Sequence, residues 1–317
     1  MRPGVRRGQC VATARPRQPG CPRNPGNAAL TYDQSARRFD LQGHRGARGL
    51  WPENTLPGFA AALAIGVTSI EFDVVLTEDS VPVVFHDLAL HPDRVRGSDG
   101  NWIRPPGCPV ARLSAASLMS YDVGRLRPRS RSAARFPQQK AVDGARVPAL
   151  EDVCALLSGT GVRLDIEIKP AASAERAVDA VLACVDQAGA KHVSFRSFDW
   201  HVLRLIRQRR DGAPLAWLTA GLPRARPAVV AAEVSGISWP KWTPVWAPDH
   251  RTLLKRDVTR AHALGLLVVP YTVNRPGRMA QLLRWGADGF CTDRPDIGRG
   301  VLEAAGIALP AALDKRG

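Results

Sequence analysis

The sequence predicts an α/β protein, a (β/α)8 barrel of the TIM type with a long insertion after its second strand region. Three observations point there. Short apolar segments alternate with helical patterns from Phe39 onward, and eight of them in 317 residues favour a closed barrel over an open doubly wound sheet. No GxGxxG follows a strand candidate, so the dinucleotide signature of open sheets is missing. The acids, bases and histidines collect at the C-terminal ends of the strand candidates, where a barrel keeps its chemistry.

Strands are expected at 39–44, 69–75, 163–168, 192–197, 214–218, 234–239, 266–272 and 287–292, with an extra short strand at 82–86. The helix expected at 55–65 places Leu56, Phe59, Ala60 and Leu63 on one face. Asn54 or Thr55 can cap it. Further helices are expected at 149–158, 173–188, 199–209, 249–264 and 276–285. Between Asp87 and Val147 the rhythm stops, which marks an insertion of about 88–147 rising over the barrel mouth. Within it, 124–146 carries six arginines and Lys140 against Asp143 alone, a charge suited to an anionic substrate or to a solvated loop. Residues 1–37 are basic, rich in Pro and Gly and aperiodic, and are expected to be disordered. The barrel is expected over 38–305, with a tail at 306–317.

Composition narrows the function. The net charge is +15, but only six of the 44 basic residues are lysine, and the arginines are scattered along the chain. No basic motif interleaved with aromatics accompanies them, so nucleic acid is not expected as a partner. The six cysteines show no metal-ligand spacing; Cys154 and Cys184 lie in apolar helical patterns, as buried free thiols do, and a reducing compartment is favoured. No apolar run approaches the ~20 residues that span a bilayer, so stable membrane insertion is not expected. Arg2, Arg6 and Arg7 lack a following apolar stretch, so the start does not read as a signal peptide. As written the chain is expected to be cytoplasmic, and periplasmic or secreted if the true start lies upstream. Oligomeric state is not legible.

The chemistry lies in four short segments: His44-Arg45-Gly46, Pro52-Glu53-Asn54-Thr55, Glu71-Phe72-Asp73 and His86-Asp87. On a strand, residues i and i+2 share a face, so Glu71 and Asp73 converge. Two carboxylates held together need a cation, and oxygen donors suit Mg2+ or Ca2+. Glu167 and Lys169 end the third expected strand, Ser197 follows the fourth, Asn274 the seventh and Asp293 the eighth. Arg45 can grip a phosphate as a planar fork and Lys169 as a point charge. His44 and His86 can exchange protons near neutral pH. The set reads as metal-assisted phosphoester hydrolysis, with either a water or a substrate hydroxyl as nucleophile. Phe198, Trp239, Trp242 and Tyr271 are candidates for an apolar pocket wall.

These residues resemble the glycerophosphodiester phosphodiesterase family from about Phe39 to Pro295. The match adds Ser197-Phe198, Thr272-Val273-Asn274 and Thr292-Asp293-Arg294-Pro295 to the segments above. The resemblance implies a (β/α)8 barrel that hydrolyses glycerophosphodiesters to sn-glycerol 3-phosphate and an alcohol with a divalent metal, calcium or magnesium. It implies His44 and His86 as the acid/base pair, Glu71, Asp73 and Glu167 as metal ligands, and Arg45 and Lys169 as phosphate contacts. Tyr271 stands where many members carry tryptophan, which implies altered substrate fit. Two competing classes are weaker. A lysophospholipase D or phosphatidylinositol-phospholipase-like enzyme would need an apolar membrane-docking rim, and a non-catalytic binding protein has only the +15 charge in its favour.

Overall fold

The computed structural model describes Met1, 39–221, 226–236 and 242–313. The expected 1–37 segment, apart from Met1, and the end of the tail lie outside these residues. Eight parallel strands run in the order β8-β7-β6-β5-β4-β2-β1-β9, with β3 antiparallel at the side of β2. Their ranges are β1 Asp40–His44, β2 Ser69–Leu76, β3 Pro82–Val84, β4 Arg163–Ile168, β5 Val193–Ser197, β6 Leu215–Thr219, β7 Val245–Pro248, β8 Leu267–Val268 and β9 Gly289–Thr292. Main-chain hydrogen bonds from Asp288 N to Val268 O and from Cys291 N to Pro270 O, both 2.9 Å, tie the β8 segment to β9 and nearly close the ring. The expected (β/α)8 barrel is the one formed.

The helices α1 (Leu56–Ile65), α4 (Leu150–Leu157), α5 (Ala174–Gln187), α6 (Trp200–Arg209), α7 (Pro227–Glu233), α8 (Lys255–Ala263) and α9 (Pro276–Arg284) separate the strands, and α10 (Pro295–Ala304) follows the last of them. Two short helices, α2 (Ala115–Met119) and α3 (Arg131–Arg135), belong to the insertion. The strand residues that alternate with the acids face the helices: Phe72 of β2 meets Phe59 of α1 with ring centroids 5.6 Å apart. Both are fully buried, which anchors β2 and turns Glu71 and Asp73 inward. Inside the barrel, below the acids, Arg196 pairs with Asp165 and donates to Gln42 Oε1 at 2.7 Å, all three buried.

Two expectations fail at the same place. No strand forms at 234–236: Val234 to Gly236 is a turn closing α7, and Gly236 adopts a φ of +73°. The strand of this unit is Val245–Pro248, whose Trp246 and Ala247 are fully buried between β6 and β8. The apolar segment at 234–239 imitated a strand, while the true one is short and ends in proline. The helix expected from 249 therefore starts only at Lys255. Trp239 lies outside the described residues. Trp242 is exposed and precedes β7, at the strand's N-terminal end, away from the mouth where it was expected.

The insertion is an ordered unit with its own core. Val75, Val83 and Phe85 meet Leu90, Val95, Val110 and Leu118 in a cluster separate from the barrel's. Part of its charge is used internally. Arg96 bridges Asp122 and Asp143, at 2.5 and 2.6 Å, and Arg125 also pairs with Asp143. Within 124–146 itself, Arg125 makes an ion pair and the other five arginines and Lys140 are exposed. Its 136–140 stretch docks on the β1–α1 loop: Lys140 N donates to Leu50 O at 2.8 Å, and the Arg48 guanidinium lies 4.6 Å from the Phe136 ring centre.

Candidate active site

Parallel register assembles the site. His44 of β1 pairs with Glu71 of β2, and Asp73 of β2 pairs with Glu167 of β4. Three carboxylates thus converge, with one oxygen from each of Glu71, Asp73 and Glu167 lying within 4.8 Å of the others. All three are buried. Burial, then the charges of Asp73 and Glu167, push Glu71 up to about 8, and Arg196 and Arg45 offset only part of this. Glu167 is raised for the same reasons, burial first and then Asp73. For Asp73, Arg45 and Lys169 outweigh the burial and hold it well below the usual carboxylate range. Hard oxygen donors with unrelieved mutual repulsion fit a divalent cation, so the cluster could hold one.

The cations already present are interleaved with these acids. Arg45 Nε lies 3.0 Å from Asp73 Oδ2, and its NH1 donates to Glu53 at 2.9 Å. Lys169 Nζ sits 2.8 Å from Asp73 Oδ1 and donates to Glu167 Oε1 at 2.5 Å. Arg45 adopts a left-handed φ of +52°, which aims its backbone N–H at Glu71 Oε2, 3.2 Å away. Gly46 follows at φ +86°, and a Cβ there would fall 2.7 Å from Gly58 O. Only glycine lets this turn press against α1.

Pro52-Glu53-Asn54-Thr55 divides its work. Thr55 Oγ1 caps α1 by accepting from Gly58 N. Asn54 Nδ2 donates to Asp73 Oδ2 at 2.9 Å. Glu53 meets three arginines, Arg48 at 2.5 Å, Arg45 at 2.9 Å and Arg94 at 3.4 Å. Burial works against its charge, but Arg48, Arg45 and Arg94 together hold it far below the usual range.

Each histidine has a carboxylate behind Nδ1. His44 Nδ1 is 2.5 Å from Asp293 Oδ1, and His44 Nε2 is 3.9 Å from Glu71 Oε2. An ionised Asp293 can only accept, so Nδ1 carries the hydrogen and Nε2 faces the acids. Burial, reinforced by Arg45 and Arg48 against Asp293, lowers His44 to about 4. Asn274 fixes Asp293 through both ends of its amide: Nδ2 donates to Oδ2 at 2.6 Å, and Oδ1 accepts from Asp293 N at 2.9 Å. His86 follows β3, with Nδ1 2.7 Å from Asp87 Oδ1, and Asp87 is gripped by Arg94 at 2.6 Å.

Six of the expected residues, His44, Arg45, Glu71, Asp73, Glu167 and Lys169, are thus joined by direct contacts. His86 joins through Asp87, Arg94 and Glu53. Phe198 and Tyr271 pack edge to face with centroids 5.7 Å apart, and Phe198 remains exposed. The partner of His44, Asp293, had been placed at the mouth without a role; its sequence signal was its position one residue past the last strand. Asp87, Arg94 and Arg48 carry no role in the sequence reading; Arg94 reaches Asp87 and Glu53 through the fold of the insertion, while Arg48 meets Glu53 within the β1–α1 loop.

Comparison with known proteins places the chain in a family. The model of the glycerophosphoryl diester phosphodiesterase family matches residues 44–297. A protein named probable glycerophosphodiester phosphodiesterase 2 from Mycobacterium tuberculosis is 31% identical, over 83% of this chain and 90% of its own. A glycerophosphodiester phosphodiesterase of Bacillus subtilis is 28% identical, over 80% and 83%. A crystal structure from Silicibacter pomeroyi, assigned to the glycerophosphoryl diester phosphodiesterases, superposes with a TM-score of 0.79 at 32% identity, covering 86% of this chain and 96% of that one. A phosphodiesterase from Oleispira antarctica, solved with its product sn-glycerol-3-phosphate, shares the fold at 22% identity and a TM-score of 0.66, covering 83% and 96%. The chain belongs to the glycerophosphoryl diester phosphodiesterase family of enzymes.

Proposed function

We propose that this enzyme hydrolyses glycerophosphodiesters to sn-glycerol 3-phosphate and an alcohol with the help of a divalent cation. The observation that carries the reading is the meeting of Glu71, Asp73 and Glu167 within 4.8 Å, flanked by Arg45, Lys169 and His44. It fits the product bound by the Oleispira antarctica relative, sn-glycerol-3-phosphate.

A phosphodiester repels nucleophiles with its own charge, so catalysis needs neutralisation, a base and an acid. Glu71, Asp73 and Glu167 would hold Ca2+ or Mg2+, which when bound polarises the phosphoryl oxygens. Arg45, fixed by Glu53 and Asp73, presents the remaining edge of its guanidinium to the phosphate. Lys169 supplies a second positive charge from the far side of Asp73. His44 and His86, each anchored at Nδ1, move protons at Nε2: one takes a proton from the attacking water or substrate hydroxyl, and the other gives one to the departing alkoxide. Where the substrate's own hydroxyl attacks, the cyclic phosphate so formed is opened by a water in a second step with the two roles exchanged. Phe198 and Tyr271 form the apolar side of the mouth, and the alcohol moiety is the part of the substrate suited to it.

Among the described residues no helix is long and apolar enough to cross a membrane. The test is turnover of glycerophosphocholine and a panel of glycerophosphodiesters and lysophospholipids with Ca2+, Mg2+ or chelator. Release of sn-glycerol 3-phosphate that chelator abolishes supports the proposal. Metal-independent turnover, or no glycerol 3-phosphate, refutes it.

A further inference from the structure

We infer that Arg94, carried to the barrel mouth by the insertion, is a positioning residue for His86. The inference rests on the acid/base reading of His86 given above. His86 is the more exposed of the two histidines, its side chain 32% accessible against 11% for His44. It also lies beyond the barrel proper, after a strand of three residues. What fixes its imidazole is Asp87, at 2.7 Å from Nδ1, and what fixes Asp87 is Arg94, whose NH2 donates to the other carboxylate oxygen at 2.6 Å. The other arm of the guanidinium, NH1, reaches Glu53 Oε1 at 3.4 Å.

Arg94 is in turn set by the insertion. Its N–H donates to His91 O at 3.1 Å, and the next residue, Val95, is fully buried in the insertion's core. A cavity of about 20 Å3 lies beside it, lined by Glu53, Asn54, His86, Asp87, Arg94 and Gln139. Barrel loop, histidine and insertion therefore share one wall.

The two carboxylates differ in their dependence on Arg94. Glu53 keeps Arg45 and Arg48 when Arg94 is removed. Asp87 has Arg94 as its single arginine or lysine partner among the described residues. Loss of Arg94 should therefore release Asp87 and His86 while leaving the phosphate-facing Arg45 held. The cost should fall on kcat more than on KM.

The experiment uses the full chain with divalent cation, glycerophosphocholine as the poor-leaving-group substrate and a p-nitrophenyl phosphodiester as the good one. Arg94→Met should lower kcat on glycerophosphocholine about 10- to 100-fold, the usual scale for losing an outer partner of a catalytic group, with KM little changed. Arg94→Lys should recover part of the loss. On a His86→Ala background Arg94→Met should cost nothing further, and its response to the good leaving group should follow that of His86→Ala. Arg127→Met, at an exposed arginine of the same insertion, is the control. Should Arg94→Met fail to fold, Asp87→Asn must give the same kcat loss. A normal kcat in Arg94→Met, or a loss that adds fully to that of His86→Ala, overturns the inference. A fully active His86→Ala overturns the acid/base reading itself, and the positioning role falls with it.

Discussion

His44 Nδ1 and Asp293 Oδ1 stand 2.5 Å apart across the seam where the first barrel strand pairs with the last. The carboxylate is almost fully buried and holds the ring in one tautomer. Asp293→Asn keeps the shape but offers the ring an amide, which can turn either its oxygen or its NH2 group toward Nδ1. We expect kcat to fall by roughly 10²- to 10⁴-fold, the scale of disabling a proton-transfer group. Steady-state kinetics checks this, and an unimpaired Asp293→Asn enzyme would remove Asp293 from the mechanism.

The acid cluster predicts a separable metal phenotype. Glu71→Gln or Asp73→Asn should abolish calorimetric binding of Ca2+ or Mg2+ and with it turnover, while the circular dichroism of the barrel persists. Removing the Glu71 carboxylate relieves repulsion, so apo Glu71→Gln should lose no more than about 1–2 kcal/mol of stability. Asp73→Asn instead takes the shared partner from buried Arg45 and Lys169 and should cost about 3–5 kcal/mol. Metal affinity equal to that of the parent would show that the cation sits elsewhere.

The burial of His44 sets a pH dependence in metal-free protein. Unfolded, the ring takes a proton near 6.5; folded, near 4. Between these values the unfolded state binds the proton and the native state does not. The His44 contribution to stability is therefore full above 6.5 and is lost as pH drops toward 4, by about 3 kcal/mol. Asp293, held down to about 2 chiefly by His44 against its burial, acts in the same direction at lower pH. Glu71, pushed up to about 8, and Glu167, also raised, act in the opposite sense, because the native state takes up their protons first as pH falls. Urea unfolding in chelator from pH 8 to 4 therefore reads the His44 share as the stability of the parent minus that of His44→Gln, a difference that should fall by about 3 kcal/mol toward pH 4.

Gly46→Ala tests the turn that aims Arg45. With φ at +86° and Gly58 O 2.7 Å from the added methyl, the turn must shift. We expect a stability loss of about 1–3 kcal/mol and a raised KM, because the Arg45 backbone and side chain move together. Unchanged kinetics would mean that the turn has slack the packing does not show.

Much of the barrel and the convergence of Glu71 and Asp73 were legible because both follow short-range rules. The i,i+2 spacing of Glu71 and Asp73 fixes their shared face wherever β2 lies, and strand ends map to the mouth in any barrel. The β7 region was not legible. Val234 to Trp239 has the apolar content of a strand, and only burial of Trp246 between its neighbours decides for Val245–Pro248. Nor was the circuit through Glu53, Asp87 and Arg94. Glu53 and Arg94 stand 41 positions apart, and their meeting depends on how the insertion folds. The pairing of Arg96 with Asp122 and Asp143 was hidden for the same reason, since these positions meet only in three dimensions.

The insertion's separate core has a thermal consequence. One unit, the barrel, holds the acids, Arg45, Lys169 and His44, whereas His86 leans on a second, smaller hydrophobic cluster built from Val83, Phe85, Leu90, Val95 and Leu118. Small cores open at lower free energy than large ones and can do so by themselves. On warming, this enzyme should fall silent while its ellipticity is still native, and it should regain full rate on cooling. The catalytic lifetime of the molecule is then governed by its weaker unit, and a stabilising substitution in the insertion will extend activity at temperature further than an equal one in the barrel.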